Sequence, residues 1–239
     1  MSIRQLMIRR KQSNLFENEC VAMKVKAILW DFGGVITTSP FDSFNQFEKE
    51  NGLPIDFIRG INAVNHKTNA WALLESNQIS ADEFDTLFLE ESSQAGHGIQ
   101  GSEILPLISQ TSVRKKMVRV LRECKQHFKN VCLTNNMRTG LGLAMSSNSE
   151  HEKDVDEVTS LFDIVIESSK EGIRKPDPAI YRLACDKMDI QPNCVVYLDD
   201  LGINLKPARE MGMTTIKVLS ETQAIKDLER AIGLTFRQE

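Results

Sequence analysis

The chain has 239 residues, 41% of them hydrophobic and 26% charged, and its 29 Lys and Arg against 33 Asp and Glu leave a formal charge of −4. That balance excludes disordered and collagen-like chains, and no apolar run approaches the ~20 residues of a membrane helix. The acidic excess removes any general pull toward nucleic acid, so the expectation is a soluble globular protein with neither membrane nor nucleic-acid partner.

Residues 1–23 read as a flexible basic extension, because Arg4, Arg9, Arg10 and Lys11 occur there with no acidic residue before Glu17. A mitochondrial transit peptide and a plain extension both fit, with Met23 directly before the first strand; the expected location is cytoplasmic, with mitochondrial as the alternative. Val25 to Trp30 is a compact apolar strand that ends in Asp31, followed by Gly33-Gly34. Residues 41–110 then show helical signals and no strand. Pro54 is expected at a helix N1 position, and Ser80-Ala81-Asp82-Glu83 forms a capping box ahead of Phe84, Leu87 and Phe88. A helical block of this length is no ordinary βα loop, and it is expected to cap the carboxyl ends of the strands.

Residues 24–40 and 111–239 carry the alternating pattern of the core. A helix is expected over Ser112 to Phe128, then a strand over Val131 to Thr134. Ser146 to Asp156, dense in Ser, Asn and acidic residues, reads as an exposed loop. Strands follow at Ile164 to Ile166, Val195 to Leu198 and Thr215 to Val218, with helices at Pro178 to Met188, Leu201 to Met211 and Glu221 to Ile232 between and after them. Continuous apolar strands separated by helices indicate an α/β fold, a doubly wound and mostly parallel sheet covered on both faces.

Cys20, Cys124, Cys132, Cys185 and Cys194 are odd in number and form no C-x-x-C pair, which suits reduced core residues. His66, His97, His127 and His151 are equally dispersed and show no ligand spacing. The chemistry therefore lies elsewhere. In a parallel sheet, ligands bind beyond the carboxyl ends of the strands. Those ends deliver Asp31, Thr134-Asn135-Asn136 and Asp199-Asp200, while Lys175 leads into the helix beyond the strand at Ile164. Carboxylates, a hydroxyl and an ammonium in one crevice suit a divalent cation and a phosphate. Each residue alone also has a plain structural reading: a strand-end Asp caps a turn or helix, and Lys175 is a solvated residue before a proline. Their joint arrival at strand ends favours chemistry.

Four segments carry a resemblance. Trp30-Asp31-Phe32-Gly33-Gly34-Val35-Ile36, Leu133-Thr134-Asn135-Asn136, Arg174-Lys175-Pro176-Asp177-Pro178 and Tyr197-Leu198-Asp199-Asp200 resemble, in order, the motifs of the haloacid dehalogenase-like hydrolases. The stretch from Glu167 through Arg209 is similar to the phosphatase-type domain joined to epoxide hydrolases and to that of some acyl-CoA dehydrogenase family members. The resemblance implies a Rossmann-like core and a hydrolase acting on a small phosphorylated substrate, as monomer or homodimer. It implies Asp31 as nucleophile, forming an aspartyl-phosphate. Thr134 and Lys175 would hold phosphoryl oxygens, with Asn135 and Gly34 at the substrate. Mg²⁺ would be bound by Asp31, the Gly33 carbonyl and Asp200, with Asp199 as an additional or outer ligand and Asn204 orienting that loop.

One position departs from the pattern. The usual motif has a second Asp two residues after the nucleophile as general acid and base, and Gly33 stands there instead. Such a group contributes ~10²–10⁴ in rate. Two further readings stay open: a dehalogenase, whose halide leaves without a proton, and a catalytically weak module that binds a phosphometabolite or protein. The Asp31-Phe32-Gly33 string also occurs in protein kinases, but no Gly-rich loop or H-R-D segment accompanies it.

Overall fold

The computed structural model describes residues 25–138, 143 and 149–237. The expectations for the basic extension and for Cys20 fall outside them. β1 (Ala27–Trp30) runs directly into the Asp31 turn. Five helices follow: α1 (Pro40–Glu50), α2 (Phe57–Ala63), α3 (Ala70–Glu75), α4 (Ala81–Gln94) and α5 (Gly101–Ile108). The chain then returns through α6 (Lys115–Cys124), β2 (Lys129–Thr134), α7 (Ser149–Thr159), β3 (Ile164–Glu167) and the single turn α8 (Ser168–Glu171). It closes with α9 (Pro178–Met188), β4 (Val195–Asp199), α10 (Gly202–Glu210), β5 (Thr214–Lys217) and α11 (Glu221–Ile232).

The strands form one sheet in the order β3-β2-β1-β4-β5, and every pairing is parallel. β1 lies at its centre, so its side chains are buried on both faces, which its unbroken apolar run already demanded. Ile28 and Trp30 face α6, α7 and α11, while Ala27 and Leu29 face α9 and α10. This alternation follows from the two-residue period of a strand. The order also puts the ends of β1, β2 and β4 side by side.

The helical insertion has an apolar cluster of its own, in which Phe44, Phe84 and Phe88 are buried around the half-buried Trp71. Trp71 meets Phe44 and Phe84 edge to face, at 5.9 and 5.4 Å between ring centres. The expected capping box is present: Glu83 N donates to Ser80 Oγ at 3.2 Å and Ser80 N donates to Glu83 Oε2 at 2.8 Å. Ser39 and Pro40 open α1 as N-cap and first helical residue. Entry and exit of the insertion run side by side: Thr37 bridges Val113, Thr38 N donates to the Ser112 carbonyl at 2.8 Å, and Arg114 N donates to the Ile36 carbonyl at 2.8 Å.

Two local expectations are corrected. Pro54 is not at N1, because the helix after it begins at Phe57 with Asp56 as N-cap in a left-handed conformation. Most of the Ser146 to Asp156 stretch is not a loop either, since α7 covers Ser149–Thr159. Val155, Val158 and Phe162 are buried against Met117 and Leu121, so a sparse apolar stripe at helical spacing outweighs the polar composition. The four described cysteines, Cys124, Cys132, Cys185 and Cys194, are free, and the first three are buried. Among the described residues, no helix is long and apolar enough to cross a membrane.

Phe88 is fully buried and stacks on Phe84 at 5.3 Å. Phe88→Ala should therefore destabilise the protein by about 3–5 kcal/mol, read by chemical denaturation.

Candidate active site

β1, β2 and β4 bring their last residues to one cleft. Lys175 reaches it from the segment between α8 and α9, and its ammonium is 1% exposed. The ammonium lies 2.7 Å from Asp31 Oδ1 and 2.9 Å from Asp199 Oδ2. Burial alone would lower the Lys175 pKa, but the Asp199 and Asp31 carboxylates outweigh it and hold the ammonium charged. Burial pushes Asp31 the other way, well above the usual carboxylate range; Lys175 opposes this, whereas Asp199 and Asp200 reinforce it. Phe32 N also donates to Asp31 Oδ1, at 2.7 Å.

Asp199 and Asp200 are neighbours with different surroundings. Asp199 is fully buried and its oxygens are already engaged. Oδ1 accepts from Leu201 N at 2.7 Å and from Asn204 Nδ2 at 3.1 Å, and Oδ2 accepts from Lys175, from the Tyr197 hydroxyl and from Asn204 Nδ2. Burial, and then Asp199 itself, push the Tyr197 phenol far up, so it remains a donor. Asp200 lines the cleft, and among the described residues the side-chain donor to its carboxylate is the Ser39 hydroxyl, at a long 3.5 Å. Burial, then Asp199, raise it from 3.8 to about 6.

Asp31, Asp199 and Asp200 each place one oxygen within 4.8 Å of the others. Lys175 contacts Asp31 and Asp199 directly and Asp200 only at longer range, an arrangement that fits a hard divalent cation. Asp31, Asp200 and the Gly33 main chain are the donors free to face it.

The two glycines after Asp31 differ as well. Gly34 has φ +75°, and a Cβ there would come within 2.2 Å of Asp200 Oδ2. Its carbonyl takes the Arg114 guanidinium at 2.7 Å, so Gly34 backs Asp200 and does not line the cavity. At Gly33 a Cβ would meet only Pro40 Cδ, at 4.0 Å, and the backbone is ordinary. A Cβ is accommodated at Gly33 and is not at Gly34.

Thr134 ends β2 and is 5% exposed, and its hydroxyl makes one long 3.3 Å bond to the Asn135 carbonyl. Asn135 lines the cavity, but its amide grips the Lys175 backbone: Nδ2 donates to the Lys175 carbonyl at 3.0 Å, and Oδ1 accepts from Lys175 N at 2.9 Å. Asn136 braces the same loop through Glu167, at 2.6 Å, and through Ser168 and Ser169. The cleft opens into a cavity of about 480 Å³ whose far wall is built by the insertion, including Phe41, Phe44, Arg59, His66 and Trp71. Sequence reasoning missed Tyr197. Its place two residues before Asp199 on the same face of β4 was a usable signal.

The profile of the haloacid dehalogenase-like hydrolases matches residues 25–212. The chain is similar to mouse bifunctional epoxide hydrolase 2, 29% identical over 231 residues, covering 90% of this chain and 40% of that protein. It is also similar to mouse acyl-CoA dehydrogenase family member 10, 29% identical over 234 residues, covering 94% of this chain and 21% of that protein. The chain thus spans well under half the length of either relative. Among solved structures, a Bacteroides thetaiotaomicron enzyme of the same family, in complex with magnesium and inorganic phosphate, shares the fold at a TM-score of 0.53 and 19% identity, covering 81% of this chain and 93% of that one.

The raised Asp200 pKa has a stability consequence. The folded metal-free protein keeps this proton up to about pH 6, whereas an unfolded chain releases it near 3.8. The folded state thus binds more protons in that window and loses stability as pH rises through it. Asp200→Asn, which cannot ionise, should raise the Tm of metal-free protein at about pH 8 and change it little at about pH 4, read by thermal denaturation in chelator.

Proposed function

The chain belongs to the haloacid dehalogenase-like hydrolases, and from that premise we propose that it is a Mg²⁺-dependent phosphatase acting on a small phosphate ester or acyl phosphate. The observation that carries the reading is the buried Lys175 ammonium, 2.7 Å from Asp31 Oδ1 at the mouth of a substrate-sized cavity. A cation so placed lets a carboxylate nucleophile approach an anionic phosphoryl group, because it offsets their mutual repulsion.

In the proposed reaction the free Asp31 oxygen attacks phosphorus, and the bond from phosphorus to the leaving oxygen breaks. Water then hydrolyses the aspartyl-phosphate, so one difficult displacement becomes two easier ones. Lys175 and the Thr134 hydroxyl hold phosphoryl oxygens. Asn135 contributes by fixing the Lys175 backbone. Asp199, Tyr197 and Asn204 keep the ammonium aimed. Asp31, Asp200 and the Gly33 carbonyl would hold the metal ion, which neutralises charge on the transferring group when bound. The insertion serves as a cap whose wall limits water and selects the substrate body. A magnesium- and phosphate-bound family structure supports the cofactor assignment by likeness of fold.

Gly33 shapes the substrate class. No carboxyl stands there to protonate a departing alkoxide, so aryl and acyl phosphates, whose leaving groups need little help, suit this site. The same gap keeps a 2-haloacid dehalogenase as the second reading, because halide leaves without a proton. Asp200 weighs against it, since a carboxylate at the cleft has a use when a cation is held.

Hydrolysis of an aryl phosphate should require Mg²⁺, and Asp31→Asn should lower kcat by about 10³-fold or more. Equal rates in both proteins would remove Asp31 from the chemistry, and metal-independent halide release from a 2-haloacid would transfer the assignment to the dehalogenase. Wild type should turn over aryl phosphates much faster than alkyl phosphates. Gly33→Asp, for which the backbone leaves room, should narrow that gap by about tenfold or more. No preference among leaving groups would show that another residue supplies the proton.

A further inference from the structure

Away from its paired entry and exit, the insertion also meets the core at Glu75. This residue ends α3 and is 8% exposed. Its Oε2 lies 2.7 Å from Arg174 Nη2, its Oε1 accepts from Trp71 Nε1 at 3.1 Å, and its carbonyl accepts the Ser168 hydroxyl at 2.7 Å. Arg174 reaches the insertion a second time, donating through Nη1 to the His66 carbonyl at 2.8 Å.

Both core partners adjoin the phosphate end of the cavity. Arg174 immediately precedes Lys175. The Ser168 hydroxyl accepts from Asn136 N at 3.0 Å, and the neighbouring Asn135 grips the Lys175 backbone. Two short routes thus run from Glu75 to Lys175. The loops at Thr134 and Lys175 are fastened to the same residue of the insertion.

The Arg174 guanidinium reaches the Glu75 carboxylate through Nη2 and the His66 carbonyl through Nη1. A fully aligned guanidinium–carboxylate pair would use both prongs of the fork and hold harder. The Glu75 carboxylate is also buried enough that losing its partner leaves charge in a poorly solvated place.

We infer that Arg174 is a positioning residue: with Glu75 it latches the insertion onto the core, setting the distance between the cavity's far wall and Lys175. The substrates that depend on it are those whose body fills the cavity and touches His66 and Trp71 on one side and the Lys175 end on the other. A compact acyl phosphate, which reaches only the core end, depends on it less. The kinetic part of the test rests on the hydrolase reading, and the exchange part does not.

Hydrogen exchange over residues 62–75 should quicken about tenfold relative to β1 and β4 in Arg174→Ala and in Glu75→Gln. Arg174→Lys, which keeps the charge but loses the second prong to His66, should recover only part of the protection. In Arg174→Ala, kcat/KM for 1-naphthyl phosphate should fall about tenfold more than for acetyl phosphate. Unchanged exchange over 62–75, an equal rise in β1 and β4, or equal losses on the two substrates would overturn the latch. If wild type hydrolyses neither phosphate, the hydrolase reading falls and the exchange comparison alone decides the latch.

Discussion

A single nitrogen sits where three strand ends converge. The Lys175 ammonium is almost completely shielded from water, and an unpaired charge there would cost several kcal/mol. Asp31 from β1 and Asp199 from β4 answer it, and Asn135 beyond β2 holds the backbone that carries it. The arrangement works only if the central strands stay in register. Sheet order, burial and chemistry are thus one constraint: the apolar faces of β1 hold the strands together, and the strands hold the charges in place.

Around that nitrogen, adjacent residues divide tasks. Asp199 spends its oxygens on Lys175, Tyr197, Leu201 and Asn204, while Asp200 faces the cleft. Asn135 holds Lys175, and Asn136 holds the turn against Glu167 and Ser169. Gly34 is glycine because Asp200 occupies the space of its side chain, whereas steric crowding does not explain glycine at Gly33. Chain direction changes at the strand ends, so consecutive side chains enter different surroundings and acquire different duties.

The strands and their terminal residues were legible because a doubly covered strand is an unbroken apolar run, and a polar residue at its end stands out. The capping box at Ser80 was legible because its pattern is local. α7 was hidden because its burial rests on Val155 and Val158, with Phe162 just beyond its end, within an otherwise polar stretch. Pro54 misled because proline fixes its own φ without fixing where the next helix begins. The partners of Asn135 and Gly34 were hidden because each lies far away in sequence: Asn135 grips the Lys175 backbone, and Gly34 lies against Asp200. Arg174 stood in a recognisable motif, but nothing local paired it with Glu75 or paired Glu75 with Ser168; their meeting depends on how the insertion folds back onto the sheet.

The paired entry and exit of the insertion carry a consequence for how the molecule can vary. Thr37 and Val113 stand opposite each other, with Ile36 and Thr38 bonded to Arg114 and Ser112. From the sheet's side, everything between them is a loop whose ends already touch, and the entropy of closing a loop grows only slowly with its length. Such a junction tolerates exchange: helices can be added, lost or replaced without moving β1 or α6. Changes confined to that loop can therefore redraw the far wall of the cavity while the strand ends around Lys175 stay in place.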